Sequence, residues 1–215
     1  MQCLICSHPV ALFSDEKLAV ETCYCTQCGC FFKSPTTHQS IEAQKQRYDL
    51  HENHEEDPGY RRYFQRFLDF VLPLVGSPAT ALDFGCGSST LLAKMLEAQG
   101  VVCEAYDPLY HPDTQYHSKK YELIVSTEVF EHLHDPGATF GVLLDRLEEG
   151  GYMAIQTAFA PESIAAYRRW YYRQDPTHIV FFATQTFKEL CRRSRCVYLG
   201  DNGKNMLVIK KHRHA

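Results

Sequence analysis

The chain has 215 residues, a formal net charge of −4 and a pI near 6.2. That balance gives no general electrostatic pull toward nucleic acid. No apolar run reaches the roughly 18 residues a membrane span needs, and the N-terminus lacks a basic-then-apolar signal pattern, so a soluble, cytoplasmic protein with no membrane partner is expected. Hydrophobic residues make up 45% of the chain, enough for one packed domain and a small appendage.

Ten cysteines are many for such a chain, and six fall in the first thirty residues. Without a signal peptide, this clustering points to metal ligation before disulfides. Cys3, Cys6, Cys25 and Cys28 form C-x2-C-x18-C-x2-C. Two close thiolate pairs suit a structural tetrahedral Zn²⁺ with no open position, on a small ribbon whose strands fall over residues 10–13 and 17–21. Cys23 and Cys30 are spare thiols that would either shift the ligand register or sit as small buried hydrophobes. Residues 31–46 form a polar connector broken by Pro35, which places a zinc-ribbon-like segment at 1–40 and the main domain at 41–215. The stretch from Tyr48 to Tyr60 is dense in His, Tyr and carboxylates without a period. It reads as a solvated loop or lid, with metal ligation by His51 and His54 as the alternative. Apolar residues from Tyr60 to Val75 recur at helical spacing and mark a core helix.

The most informative stretch is ATALDFGCGSSTLL at residues 79–92. A short strand ends in Asp83, Gly85 and Gly87 follow in a tight loop, and Ser88 and Ser89 open a helix. The glycines let the backbone approach a ligand, and the helix start offers free N–H donors. The third glycine of the dinucleotide fingerprint is replaced by Thr90, and an acid at the strand end suits an ammonium better than a pyrophosphate. These residues resemble motif I of the class I S-adenosylmethionine (SAM) methyltransferases. The resemblance implies that Asp83 helps hold the amino end of SAM and that Phe84, Gly85, Cys86 and Gly87 lie against its methionine and ribose. It also implies an α/β, Rossmann-like, doubly wound and mostly parallel sheet with a C-terminal antiparallel hairpin, and a lid over the cofactor near residues 48–60. Asp107, twenty residues beyond Gly87 and followed by Pro108, sits at the tip of the second strand. There an acid can accept both ribose hydroxyls, a turn cap being the alternative. Tyr106, Leu109 and Tyr110 are candidates to line the adenine. Residues 111–120 are too short for the helix, strand and helix that a full fold of this class would place there.

A buried strand over residues 121–126 runs into Thr127-Glu128-Val129-Phe130-Glu131-His132. This segment resembles motif IV of the same family, which puts Thr127, Glu128 and Val129 beside the cofactor. A helical turn starting at Glu128 would bring Glu128, Glu131 and His132 to one face, a plausible site for Mg²⁺ or another divalent ion. E-x-x-E-H is similar to the metal motif of the ubiquinone-pathway O-methyltransferases and of the enzymes that methylate the terminal 2′-hydroxyl of small RNAs. In the latter a further histidine follows, a place His178 fills here. In one reading, Glu128, Glu131, His132 and His178 hold an ion that activates a substrate hydroxyl. In another, Glu131 or His132 is a general base and Glu128 orients the cofactor. In a third, the residues only pair and cap.

Residues 138–147 read as a helix and 151–157 as a strand. Residues 158–177 form an insertion rich in Tyr, Arg and Trp that would either grip a planar or anionic substrate or pack on the core. Thr184 is expected to cap a last helix, and strands over 196–199 and 206–209 flank a hairpin turn. The reading is a SAM-dependent methyltransferase acting on a hydroxyl or other nucleophile of a small molecule. RNA is the alternative acceptor, and a non-catalytic SAM-binding or zinc-ribbon adaptor the alternative class.

Overall fold

The computed structural model describes residues 1–50 and 55–213; His51 and His54 lie outside the described residues. In chain order the elements are β1 (Ala11–Asp15), β2 (Val20–Tyr24), β3 (Phe31–Lys33), α1 (Ile41–Tyr48), α2 (Pro58–Val75), β4 (Thr80–Phe84), α3 (Leu91–Glu97), β5 (Val102–Tyr106), β6 (Tyr121–Thr127), α4 (Pro136–Asp145), β7 (Leu147–Gln156), α5 (Ile164–Tyr167), β8 (Val180–Phe181), α6 (Thr184–Arg193), β9 (Cys196–Asp201) and β10 (Met206–Lys211).

A six-stranded sheet of order β5-β4-β6-β7-β10-β9 forms the centre. Strands β4 to β7 are parallel, and β10 runs antiparallel between β7 and β9. This is the Rossmann-like α/β sheet with its antiparallel end. The strands alternate faces. Ala81, Leu123, Val125, Ala154 and Val208 pack against Phe64, Phe67, Leu68 and Val71 of α2 and Leu92 and Leu96 of α3. Leu82, Ile124, Met153, Ile155 and Leu207 pack against Phe140 and Leu143 of α4 and Phe187 and Leu190 of α6. Between β5 and β6 there is only a short 3-10 turn, Thr114–Ser118, so the expected abbreviation is present and β5 is an edge strand.

A second sheet, β1-β2-β3-β8, is antiparallel. Its first two strands are shifted from those expected at 10–13 and 17–21: β1 runs on to Asp15 and β2 begins only at Val20, because residues 16–19 form the turn between them. Residues 31–33, expected as connector, form β3 because Phe31 and Phe32 are buried on both sides, a run that alternation alone does not flag. The connector also contains α1. Ser40 accepts from the Ala43 N–H at 3.3 Å and caps it. The helix has no buried residue, and so no apolar stripe to read. The last helix is likewise capped differently from expectation. Ala183 occupies the N-cap, its N–H donates to Thr186 Oγ1 at 3.0 Å, and Thr184 is the first helical residue.

Candidate active site

The β4–α3 turn is shaped by backbone demands. Gly85 and Gly87 have φ of 80° and 66°, values that favour glycine. A Cβ on Gly85 would run into the side chain of Val129. The Gly85 and Cys86 N–H groups both donate to Tyr106 O, at 2.7 and 3.1 Å, tying the loop to the tip of β5. The helix starts later than Ser88, and Ser89 Oγ accepts from the Leu91 N–H at 3.2 Å. Asp107 accepts from the N–H of Gly87 (3.0 Å), Leu109 (2.8 Å) and Tyr110 (3.2 Å). It therefore organises the loop and its own turn, and a carboxylate still has capacity left for a further donor. Pro108 follows in that turn. Tyr106 stacks near Phe84 and Tyr116 and lines a small cavity of about 250 Å³ at the β5 edge. Tyr110 is held by Asp49, its hydroxyl donating at 2.6 Å.

Asp83 is 1% exposed, and its Oδ1 has no hydrogen-bond partner. Burial, with Asp107 adding repulsion, pushes its pKa up to about 7. Ser126 Oγ and both amide atoms of Gln156, at the ends of β6 and β7, are also buried without partners. Buried polar atoms are rarely left so. Along three neighbouring strands, the carboxyl edge of the sheet thus presents unspent polar groups where ligands of doubly wound sheets bind.

The second half of the site lies past β6. Glu128 has φ of 54°, and only Phe130–His132 forms a 3-10 turn. The helical face expected for Glu128, Glu131 and His132 is therefore not formed. The chain reverses sharply at the strand end while the Glu128 N–H stays bonded to Gln156 O at 2.8 Å, and the left-handed residue takes up that reversal. A non-glycine residue held there is strained, a condition that clusters at functional sites. Thr127 and Val129 flank it, Val129 against Gly85.

The carboxylates meet through a residue that the sequence marked only as part of an aromatic insertion. The Tyr172 hydroxyl lies 2.6 Å from Glu128 Oε2 and also contacts Glu131 Oε1. Tyr63 donates to Glu128 Oε1 at 2.9 Å. Glu131 is fully buried, and its Oε2 has no partner. His132 Nδ1 is 2.9 Å from Thr177 O, and His178 Nδ1 is 2.9 Å from Tyr172 O. Against carbonyl oxygens each Nδ1 must be the protonated donor, which leaves each Nε2 with a free lone pair. One donor atom from each of Glu131, His132 and His178 lies within 4.8 Å of the others. Glu128, with both oxygens engaged by tyrosines, stands outside this trio. Burial, with Glu131 beside it, raises Glu128 to about 8. Burial raises Glu131 as well, lowers His132 and, with His132 nearby, lowers His178 to about 4. Every shift favours the form with less net charge.

At the N-terminus, Cys3 and Cys28 sulfurs are 3.6 Å apart and Cys6 and Cys25 sulfurs 3.5 Å. All four lie within 4.8 Å of one another. Cys23 instead contacts Met1 Sδ at 3.3 Å, and Cys30 points to Phe31 O at 3.6 Å. A larger groove of about 770 Å³ opens between Gln27 and Gly29 of the cysteine knuckle, Phe159, Trp170, Tyr171 and Asn205. Trp170 connects it to the cluster, its ring 5.1 Å from that of Tyr172.

No curated protein sequence matches the chain. Among solved structures it is similar to the 1,6-didemethyltoxoflavin-N1-methyltransferase of Burkholderia thailandensis at 12% identity, covering 85% of this chain and 96% of that one with a TM-score of 0.56. It is similar to a putative methyltransferase of Bacillus halodurans at 10% identity, covering 70% and 99% with a TM-score of 0.53. It also resembles an O-methyltransferase family protein of Burkholderia thailandensis at 12% identity and a TM-score of 0.50, covering 80% of this chain and spanning 64% of that protein's length. These likenesses establish a shared fold. A family profile described as a methyltransferase domain matches residues 53–196, well over half of the sequence, and the chain therefore belongs to the methyltransferase-domain family.

Proposed function

We propose that this methyltransferase uses SAM as methyl donor and a hydroxyl group of a small, ring-bearing molecule as acceptor, with a divalent ion held by Glu131, His132 and His178. The observation that carries the acceptor side is the pair of histidines, each with Nδ1–H committed to a carbonyl and Nε2 free beside the unpartnered Glu131 Oε2. Fixing the tautomer through the remote nitrogen is how metal-binding histidines are prepared. Two imidazoles and one carboxylate suit a first-row transition ion better than Mg²⁺. On the donor side, Asp83 fits the SAM ammonium as a buried carboxylate with a spare oxygen, and Asp107 retains capacity for ribose hydroxyls. For the cysteine cluster, a tetrahedral ZnS4 centre with bonds of about 2.3 Å has sulfur–sulfur edges of about 3.8 Å, close to the two sulfur distances in the knuckles.

When bound, SAM supplies an electrophilic methyl and the ion supplies Lewis acidity toward the acceptor hydroxyl. The chain's own residues do the rest. Asp83, Asp107 and the Gly85–Gly87 loop fix the donor. Glu128 and Glu131 share the Tyr172 hydroxyl, which would hold Glu131 in place as the proton acceptor. With SAM in place, Glu131 would take the acceptor proton as the methyl group moves from the sulfonium sulfur to the acceptor oxygen, which would leave S-adenosylhomocysteine (SAH). The groove beside Trp170 favours a small molecule over RNA as acceptor. Its lining carries a single lysine, Lys204, offset by Glu162, whereas phosphate binding needs several cations. Arg168 and Arg173 of the insertion are already bound to Ser14 O and Asp15.

The test is calorimetric titration of SAM and SAH with metal content read on the same sample. Micromolar binding lost in Asp83→Ala, with one zinc plus a second divalent ion that His178→Ala removes, is expected. A folded, zinc-loaded sample that binds neither SAM nor SAH would overturn the donor assignment and leave a zinc-ribbon adaptor as the better account.

A further inference from the structure

We infer that the N-terminal cysteine sheet is the frame that positions Tyr172 and His178, and that the buried Asp15–Arg173 ion pair is its clamp. The segment at 168–181 delivers both residues to the acceptor cluster, and its polar contacts run both to that cluster and to the N-terminal sheet. Arg168 Nη2 donates to Ser14 O at 2.9 Å, and Lys17 Nζ to Gln174 Oε1 at 2.9 Å. Lys33 Nζ donates to Asp175 O and the Lys33 N–H to Ile179 O, both at 2.8 Å. Strand β8 immediately follows His178 and Ile179, and it pairs with β3 through Phe31↔Phe181 and Phe32↔Val180. Phe31 stacks on Tyr167 with centroids 4.3 Å apart.

Among these anchors the ion pair is the most constrained. Asp15 ends β1 and Arg173 is the neighbour of Tyr172; each is 1% exposed. Arg173 Nε lies 3.0 Å from Asp15 Oδ2 without hydrogen-bonding it, Nη2 donates to Asp15 Oδ1 at 3.4 Å and also contacts Arg168 O, and Nη1 has no partner. A buried ion pair is weak evidence for stability, and a hydrophobic pair of like volume often folds as well. What the charges do specify is where Arg173, and with it the Tyr172 carbonyl that receives the His178 Nδ1–H, must sit. The donor half of the site (Asp83, Gly85, Gly87, Asp107) has no such link to the N-terminal sheet among the described contacts. The inference rests on the proposed function for its catalytic consequence, but not for its structural readout.

Trp170 is the chain's only tryptophan and lies in this segment, 5.1 Å from Tyr172 and 5.7 Å from Phe181 between ring centroids. Its emission therefore reports the segment's position without substrate or added ion. The experiment compares the full-length protein with Asp15→Asn and with the double variant Asp15→Leu/Arg173→Met, which removes both buried charges. Trp170 emission, SAH affinity, added Co²⁺ or Mn²⁺ binding and melting temperature are read on each. The expected result is an emission shift in both variants, SAH affinity within about threefold of the parent, and ion affinity and turnover lower by up to about a hundredfold, the scale of a misplacement of about 1 Å. The double variant should melt near the parent, which separates positioning from folding. Unchanged emission and ion binding in the double variant would overturn the inference. So would loss of SAH binding in step with the emission shift, since that is the mark of general structural damage. If emission shifts as expected while the parent protein itself binds no added ion, the metal assignment fails and the positioning role stands.

Discussion

Between β4 and β5, the donor loop draws its chemistry from one βαβ unit, with Asp83, Gly85, Gly87 and Asp107 inside twenty-five residues of chain. The acceptor cluster gathers Tyr63 from α2, Glu128, Glu131 and His132 from the end of β6, and Tyr172 and His178 from a segment held by the N-terminal sheet. The first is a local solution in which backbone turns and one strand crossing suffice. The second depends on tertiary packing, since buried carboxylates and imidazoles approach one another only where the rest of the protein compensates for their desolvation. The proposed donor site is therefore expected to tolerate changes that disturb the proposed acceptor site.

The strongest way to separate the halves is Glu131→Gln. It removes the buried carboxylate at the centre of the cluster and should lower turnover by about a thousandfold with SAH affinity unchanged by calorimetry; equal loss of both would merge the two regions. Asp83→Asn should do the converse. Losing the proposed charge partner of the SAM ammonium should weaken SAH binding by roughly a hundredfold. The unliganded protein should not lose stability in a denaturation series, because a buried carboxylate with one oxygen unpartnered has been replaced by a neutral group.

Gly85→Ala tests whether the donor loop is limited by its backbone. A side chain at φ of 80° that also meets Val129 should cost about 3 kcal/mol of folding stability in urea titration. Since Val129 adjoins Glu128, this variant should be felt in the acceptor half as well. Tyr172→Phe removes the hydroxyl shared by the two carboxylates, and about a tenfold fall in kcat with little change in SAH affinity is expected.

The gentlest perturbation is pH. Asp83 is raised from 3.8 to about 7 in the free protein, so its neutral form prevails below that value and its anion above it. In the proposed donor site the SAM ammonium binds the anion. SAH affinity should therefore rise between pH 6 and pH 8, being roughly tenfold weaker at pH 6, and Asp83→Asn should flatten the profile.

How much of this was legible in the sequence follows from the same contrast. The D-x-G-x-G turn, Asp107 at the next strand tip, the α2 stripe, the abbreviated 111–120 stretch and the C-terminal hairpin could be read because each is a short-range pattern fixed by strand ends, glycine angles or helical period. The cysteine spacing likewise brought out the four thiols that converge. Strand β3 and helix α1 escaped notice, one because it is buried on both sides and the other because it buries nothing. The pairing of β3 with β8, the left-handed Glu128, the Tyr172 bridge and the Asp15–Arg173 pair were decided by tertiary structure alone. The β3–β8 and Asp15–Arg173 pairs join residues more than a hundred positions apart, the Tyr172 bridge joins side chains 41 and 44 positions apart, and the Glu128 angle follows from the packing around it; no periodicity along one chain encodes such a meeting. The sequence by itself determined the sheet and the donor loop, where local conformation dictates placement. The acceptor half is set by burial, where the neighbours available in space decide which charges can be tolerated.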